Sequence, residues 1–361
     1  MTTDSTAPAG GPARVRRTYT PGAAGERADG LVELASNENP HGASPAAIAA
    51  TRDAITRSHR YPEHDAGRLR TRIGEQWGLS ADHVIVTPGT TPLIDLVARV
   101  LLTRTTSAVI SERSFLAYAV AIEAAGALPI EVPMRDDTID LPAIAAASRP
   151  DTRLVYLANP NNPTGTAFGR AAFDSFLREV PRHVLVVLDE AYAEYTDGLP
   201  EGAAYVREGR RVLALRTFSK VHGLAGLRVG YGLGPPGVIA SLGAVNAAFA
   251  VSRAAQHAAL AALADPTHAH QSAAANRVGR ARLTAGLEAL GLRPAPSHAN
   301  FVYVDLGRPA DPVRDALLGQ GVRVRALASW GAPNALRITV GSAADIDAVL
   351  AALTMILRGV S

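Results

Sequence analysis

The stretch VLALRTFSKVHGLAGLRVGY, residues 212–231, decides how the rest of the chain is read. It opens on an apolar run from Val212 to Thr217, the length of a buried strand. It then breaks into a glycine-punctuated loop that carries Lys220 and, eight residues on, Arg228. Lys220 is the single lysine of 361 residues, although Lys plus Arg total 36. Lysine's amine can lose its proton and attack a carbonyl, whereas a guanidinium stays charged. In a chain that writes its other cations as arginine, a lone lysine at a strand end reads as a Schiff-base nucleophile.

Working outward, residues from about 75 to 235 alternate short apolar runs with amphipathic helical stretches. Strands are expected at 84–87, 108–111, 129–132, 154–158, 184–189 and 212–217, with helices such as 91–102 and 115–125 between them. This rhythm implies an α/β fold, a mostly parallel sheet covered by helices on both faces, with ligands gathered at the carboxyl ends of the strands. The texture changes after the alanine-rich helical stretch at 238–290. Strands at 300–305, 323–325 and 336–340 and helices at 312–320 and 344–357 imply a smaller α+β domain.

Composition narrows the function classes. The chain has no cysteine, which excludes disulfides, thiolate metal sites and a cysteine nucleophile. The 36 basic residues face 33 acidic ones, for a net charge of +3, and aromatics are only 5%. No basic stripe interleaved with aromatics is present, so nucleic acid is not the expected partner. Arg16-Arg17 is followed by no apolar segment of the kind a leader needs, and no apolar run spans a bilayer. The expected location is the cytoplasm, with no membrane partner and no metal.

Three further features carry chemistry. Asp189 ends the apolar strand 184–189, and a buried carboxylate there is either a satisfied structural group or a counter-charge for a protonated ring nitrogen. Asn159-Pro160-Asn161-Asn162-Pro163-Thr164-Gly165 follows strand 154–158 and reads as a loop of turn formers. Thr87-Pro88-Gly89-Thr90-Thr91-Pro92 joins a strand to a helix start, where backbone N–H groups suit either a plain cap or a phosphate.

With these residues in hand, the sequence resembles the fold-type I aminotransferases that use pyridoxal 5′-phosphate, and within them the histidinol-phosphate aminotransferase subfamily. The stretches that carry the resemblance are LASNENPHG (34–42), YPEHDAGRLR (61–70), NPNNPTG (159–165), VVLDEAYAEY (186–195), RTFSKVHGLAGLRVGY (216–231), SHANFVYV (297–304) and NALRITVG (334–341). The resemblance implies an arm over 1–30, a first part of the small domain over 31–60, a large cofactor-binding domain over 61–250 and a C-terminal small domain over 251–361. It implies Lys220, Asp189 and Tyr192 as catalytic residues. Thr90, Thr91, Phe115, Asn162, Thr217, Ser219 and Arg228 would join them around the cofactor, with Tyr61 reaching the partner's site in a homodimer. Arg337, Arg325, Tyr19 and Asn39 would face the substrate, an amino donor or a 2-oxo acid acceptor.

Two departures stand out. Thr91-Pro92 takes the place of an acidic pair usual in this family, and Ala247-Ala248-Phe249-Ala250-Val251 replaces a Pro-Phe-Asn-Val type run near the substrate pocket. The expected reaction is transamination of histidinol phosphate with 2-oxoglutarate. Aromatic or specialised amino acids, and decarboxylation of the threonine-phosphate type, remain open alternatives. A non-catalytic regulatory domain is a third, from another class.

Overall fold

A computed structural model describes residues 30–359. The chain enters through a short strand β1 (Val32–Glu33), then α1 (Pro45–Ile55) and α2 (Gly67–Trp77). Next come β2 (Val84–Thr87), α3 (Thr90–Leu101), β3 (Ser107–Ser111), α4 (Ala117–Ala124), β4 (Leu128–Val132) and α5 (Leu141–Ala147). The central part continues with β5 (Thr152–Ala158), α6 (Arg170–Glu179), β6 (Leu185–Asp189), α7 (Gly202–Arg207), β7 (Val212–Thr217) and β8 (Gly230–Leu233). Helices α8 (Pro236–Gly243), α9 (Arg253–Ala264) and α10 (Pro266–Ala289) lead into β9 (Arg293–Pro294) and β10 (Phe301–Asp305). The chain closes with α11 (Ala310–Gly319), β11 (Val322–Arg323), β12 (Arg325–Leu327), β13 (Ala332–Thr339) and α12 (Ala343–Arg358).

The large sheet has the order β2-β8-β7-β6-β5-β3-β4. All its neighbours pair in parallel except β8, which runs antiparallel between β2 and β7. The glycine-rich run Gly230–Leu233 forms β8. The period of two along each strand sorts the core. Leu154 and Tyr156, Leu185 and Val187, and Leu213 and Leu215 face α3 and α4, while Val155, Leu157, Val186 and Leu188 face the opposite core with α5 and α6.

The small domain is an antiparallel sheet of order β12-β13-β10-β9 backed by α11 and α12, with β1 and β11 forming a separate parallel pair. The single strand expected at 323–325 is in fact two strands in two sheets, β11 and β12, because the chain changes sheets around Val324. Residues 31–60 and 251–361 are expected with the small domain, but the packing divides them differently. Ala47 of α1 and Ala255, Ala258 and Ala259 of α9 share a buried core with Val84, Val86 and Tyr231 of the large sheet. Alanine on both helices lets them pack closely, so both lie on the large sheet's side.

One polar cluster inside this core sits directly beneath the site. Arg216 Nε donates to Glu190 Oε2 at 3.0 Å and its Nη1 to Glu194 Oε1 at 3.2 Å. Its guanidinium lies 4.4 Å from the centre of the Trp77 ring. Glu190 Oε1 accepts from the N–H of Gly202 at 2.8 Å, and a Cβ at Gly202 would lie 2.4 Å from that of Ala214, so only glycine brings this backbone close enough. Removing one partner of such a cluster strands buried charge. Arg216→Met should therefore lower unfolding free energy by about 3–5 kcal/mol, read from denaturant titration. A loss below about 1 kcal/mol would contradict the role given to the cluster.

Candidate active site

The carboxyl ends of the parallel strands open into one cavity of about 700 Å³, within the range of small-molecule sites. Each strand delivers its part through the loop that follows it. Past β7 come Ser219 and Lys220, and Thr217 closes the strand itself; β6 ends on Asp189, with Tyr192 just beyond; β5 leads to Asn162, β3 to Phe115, and β2 to Thr90 and Thr91 on α3. Arg228 and, from the small sheet, Arg337 complete the wall.

Lys220 is held where its chemistry changes. Its Nζ donates to the backbone carbonyls of Ser36 at 3.1 Å and Asn37 at 3.2 Å. Burial, and then the nearby charge of Arg337, lower its pKa from 10.5 to about 7. A neutral amine has two N–H bonds, and these carbonyls accept both, so the lone pair is what the amine presents to the cavity.

Asp189 follows from strand periodicity. Positions 185, 187 and 189 share a face, so the carboxylate points toward α4, while Glu190 points the other way into the Arg216 cluster. On α4 the hydroxyl of Tyr118 donates to Asp189 Oδ2 at 2.7 Å, and the N–H of Ala191 donates to Oδ1 at 3.1 Å. Burial pushes the Asp189 carboxyl up to about 6, with the Tyr118 and Ala191 hydrogen bonds acting in the opposite direction. Tyr118 is itself fixed, stacked on Tyr156 with ring centres 4.8 Å apart and edge-on to Phe115 at 5.7 Å.

An anion cradle lies at the start of α3. Its N-cap is Gly89, and no side chain caps the helix there. A Cβ at Gly89 would come within 2.5 Å of Arg228 Nη2, so glycine is what admits the guanidinium. Arg228 holds a left-handed backbone (φ +54°) and reaches Ser219 Oγ at 3.4 Å and the Ala225 carbonyl at 3.0 Å. Open helix N–H groups, a guanidinium and small hydroxyls together form a donor set suited to a phosphate. The residues therefore fit a cofactor bearing a phosphate at one end and a basic ring nitrogen at the other. On the small-domain side, Arg337 Nη1 donates to Asn162 Oδ1 at 2.6 Å.

Not every expected residue is brought here. Asn39 does not line the cavity. Its Nδ2 donates to the Val221 carbonyl and to Ser272 Oγ, and it borders a neighbouring recess, while Ser36, Asn37 and Glu38 of the same motif line the cleft. Arg325 lies outside the cavity lining, in register with Arg337 on β13 and 5.0 Å from the Trp330 ring. Tyr61 is 78% exposed and stacks on Phe249, away from its own chain's cleft. The altered segment 247–251 is also remote from that cleft, since Ala247 and Ala248 line a separate recess with His64 and Asp65. Tyr19 lies outside the described residues.

Sequence reasoning missed Tyr118, Ser36 and Asn37. Tyr118 is legible: it follows Phe115 by three residues within the helix expected over 115–125, a spacing that predicts side chains in contact. Because the chain has one lysine, an amine-specific reagent reports on Lys220 alone among side chains. In cofactor-free protein, the rate of modification of the Lys220 peptide, followed by mass spectrometry, should rise with a midpoint at about pH 7. A midpoint near that of a free lysine would contradict the burial described.

Residues 29–353 match the family model "Aminotransferase class I and II". The chain is 46% identical over 329 residues to histidinol-phosphate aminotransferase 2 of Pseudomonas fluorescens, covering 91% of this chain and 89% of that one. It is 45% identical over 312 residues to the histidinol-phosphate aminotransferase of Symbiobacterium thermophilum, covering 86% of each. Among solved structures, the histidinol-phosphate aminotransferase of Sinorhizobium meliloti in complex with pyridoxal 5′-phosphate superposes with a TM-score of 0.85 at 29% identity, covering 92% of both chains. A lone activated lysine at a strand end, an opposed buried carboxylate and matches over nearly the whole length lead to one conclusion: the chain belongs to the class I and II aminotransferases.

Proposed function

We propose that this chain is a pyridoxal 5′-phosphate-dependent aminotransferase that moves an amino group between histidinol phosphate and 2-oxoglutarate. The observation that carries the reading is the chain's only lysine, with an amine near neutrality, sharing one cleft with Asp189, Arg337 and the Gly89–Arg228 cradle. The substrate is supported by the names of the relatives, which are histidinol-phosphate aminotransferases over most of the chain.

When bound, the cofactor supplies an aldehyde and an electron-withdrawing ring that stabilises negative charge on the substrate's α-carbon. The protein's own residues do the rest. Lys220 Nζ would hold the cofactor at its aldehyde carbon, and it is the base placed to carry a proton to and from the substrate's α-carbon. Asp189, steadied by Tyr118 and Ala191, holds a proton on the ring nitrogen. Asn162 and Tyr192 would hold the phenolic oxygen, and Phe115 would pack against the ring. Thr90, Thr91, Thr217, Ser219 and Arg228 bind the phosphate.

Arg337, held in place by Asn162 and by the Ala35 carbonyl, takes the anionic end of the substrate. Arg325, one strand over, adds positive charge on that side. Tyr19 completes it from the arm, and Asn39 steadies the loop from outside. The active unit is a homodimer in which the exposed Tyr61 reaches the partner's phosphate site. Among the described residues no helix is long and apolar enough to cross a membrane. A cytoplasmic location belongs to the same reading.

A single-turnover screen tests the proposal. Histidinol phosphate should convert the cofactor's visible absorbance to that of its amino form, and 2-oxoglutarate should restore it. Faster conversion by phenylalanine or tyrosine would transfer the assignment to aromatic substrates. Carbon dioxide release without a carbonyl product would establish decarboxylation instead. Lys220→Arg, which keeps the charge but loses the titratable amine, should reduce turnover by about 10³-fold or more. Retained turnover in that variant would refute the role of Lys220.

A further inference from the structure

We propose that Asn37 is a positioning residue that turns the Tyr192 hydroxyl proton into the cleft. Asn37 is buried between the two domains and holds a left-handed backbone, φ +56°, a conformation asparagine tolerates better than most residues. Its N–H donates to Thr339 Oγ1 at 3.0 Å, and that hydroxyl donates to Asn37 Oδ1 at 3.1 Å. With Oδ1 accepting from Thr339, Nδ2 points at Tyr192, whose hydroxyl oxygen accepts from it at 3.0 Å. The Asn37 carbonyl meanwhile accepts from Lys220 Nζ at 3.2 Å and from Asn300 Nδ2 at 3.0 Å.

The consequence is directional. The Tyr192 ring is held edge-on against Phe301, with ring centres 5.1 Å apart. A phenolic proton lies near the ring plane, in one of two directions. The Asn37 N–H occupies one, so the proton takes the other, on the side of the cavity that Tyr192 lines. Tyr192 is thereby committed to donating, which suits an oxygen bearing negative charge. One loop residue thus sets the polarity of Tyr192 with its side chain and holds the Lys220 amine with its backbone. The same residue is anchored to β13 of the small sheet through Thr339.

This inference rests on the function proposed above, and its test separates the two. The readout is the pH midpoint of visible absorbance in protein loaded with pyridoxal 5′-phosphate, alongside cofactor affinity by fluorescence. The charged groups that line the cleft, Glu33, Glu38, Asp189, Lys220, Arg228 and Arg337, stay unchanged. Asn37→Gly removes the amide while keeping a backbone that accepts positive φ. It should raise the midpoint by about one pH unit, a tenfold change in proton affinity. Tyr192→Phe should raise it at least as far, and the double variant no further than Tyr192→Phe alone.

Shifts that add, or an Asn37→Gly protein with the wild-type midpoint, would overturn the role. If Asn37→Gly does not fold, the isosteric Asn37→Asp is read against Tyr192→Phe in the same cycle. The shift that survives Tyr192→Phe then reports the new charge alone, and survival of the whole shift would overturn the role. Wild type lacking any visible band would overturn the proposed function, and the Asn37 role with it. A normal wild-type band with additive shifts would overturn only the latter.

Discussion

A primary amine taken out of water beside a guanidinium gives up its proton near neutrality, and the site is organised around that one burial. Glu38 and Asp189 pull the Lys220 pKa upward, but less than burial and Arg337 together lower it. The amine's hydrogen-bond partners are two backbone carbonyls, which accept from a neutral amine as well as from a charged one. The guanidinium of Arg337 pushes in the same direction as burial. An arginine at position 220 could not respond in this way, because its pKa lies too far from the working range for burial to reach.

Putting Lys220 there requires a rigid floor, and the strand ends supply it. The alternation along β6 and β7 sends Asp189 toward α4 and the site, and Glu190 and Arg216 to the far side of the sheet. The same two strands thus carry a reactive carboxylate on one face and a closed ionic cluster on the other. The cluster ties the loop after β6 to β7, whose end runs directly into Lys220. Tyr118 plays the matching part on the near face, holding Asp189 from a helix that is itself stacked against the sheet through Tyr156. Asp189 and Lys220 are both shifted toward neutral pH, one upward and one downward, the pattern expected where desolvation acts on opposite charges in one cleft.

Much of this was legible in the chain. The strand at 212–217 has the boundaries expected from its apolar run, as does 84–87, because a short buried strand has its ends set by the turn formers that bound it. The carboxylate at 189 and the lysine at 220 could be read because each breaks a local pattern: a charge at the end of an apolar run, a lysine among arginines. What escaped were features without local contrast. Asn39 and Asn37 lie in one motif two residues apart, and nothing in their spelling says which faces the cleft. The left-handed turn at Asn37 decides it, sending Asn39 toward Val221 and Ser272. The split of 322–327 between two sheets was hidden for the same reason, since strand propensity carries no record of its partner.

By itself the sequence determined the βαβ order, the strand whose end carries the carboxylate, and the uniqueness of the nucleophilic amine. These are properties of pattern and residue chemistry, and they survive without knowledge of any long-range contact. Only the tertiary structure decided that residues from 36 to 337 share one cavity, and that α1 and α9 lie against the large sheet. It also decided that the lysine amine sits between two carbonyls contributed from far earlier in the chain. Those outcomes depend on which surfaces bury each other, and burial is what moves a pKa, orients a hydroxyl and makes an arginine cluster part of an active site's foundation.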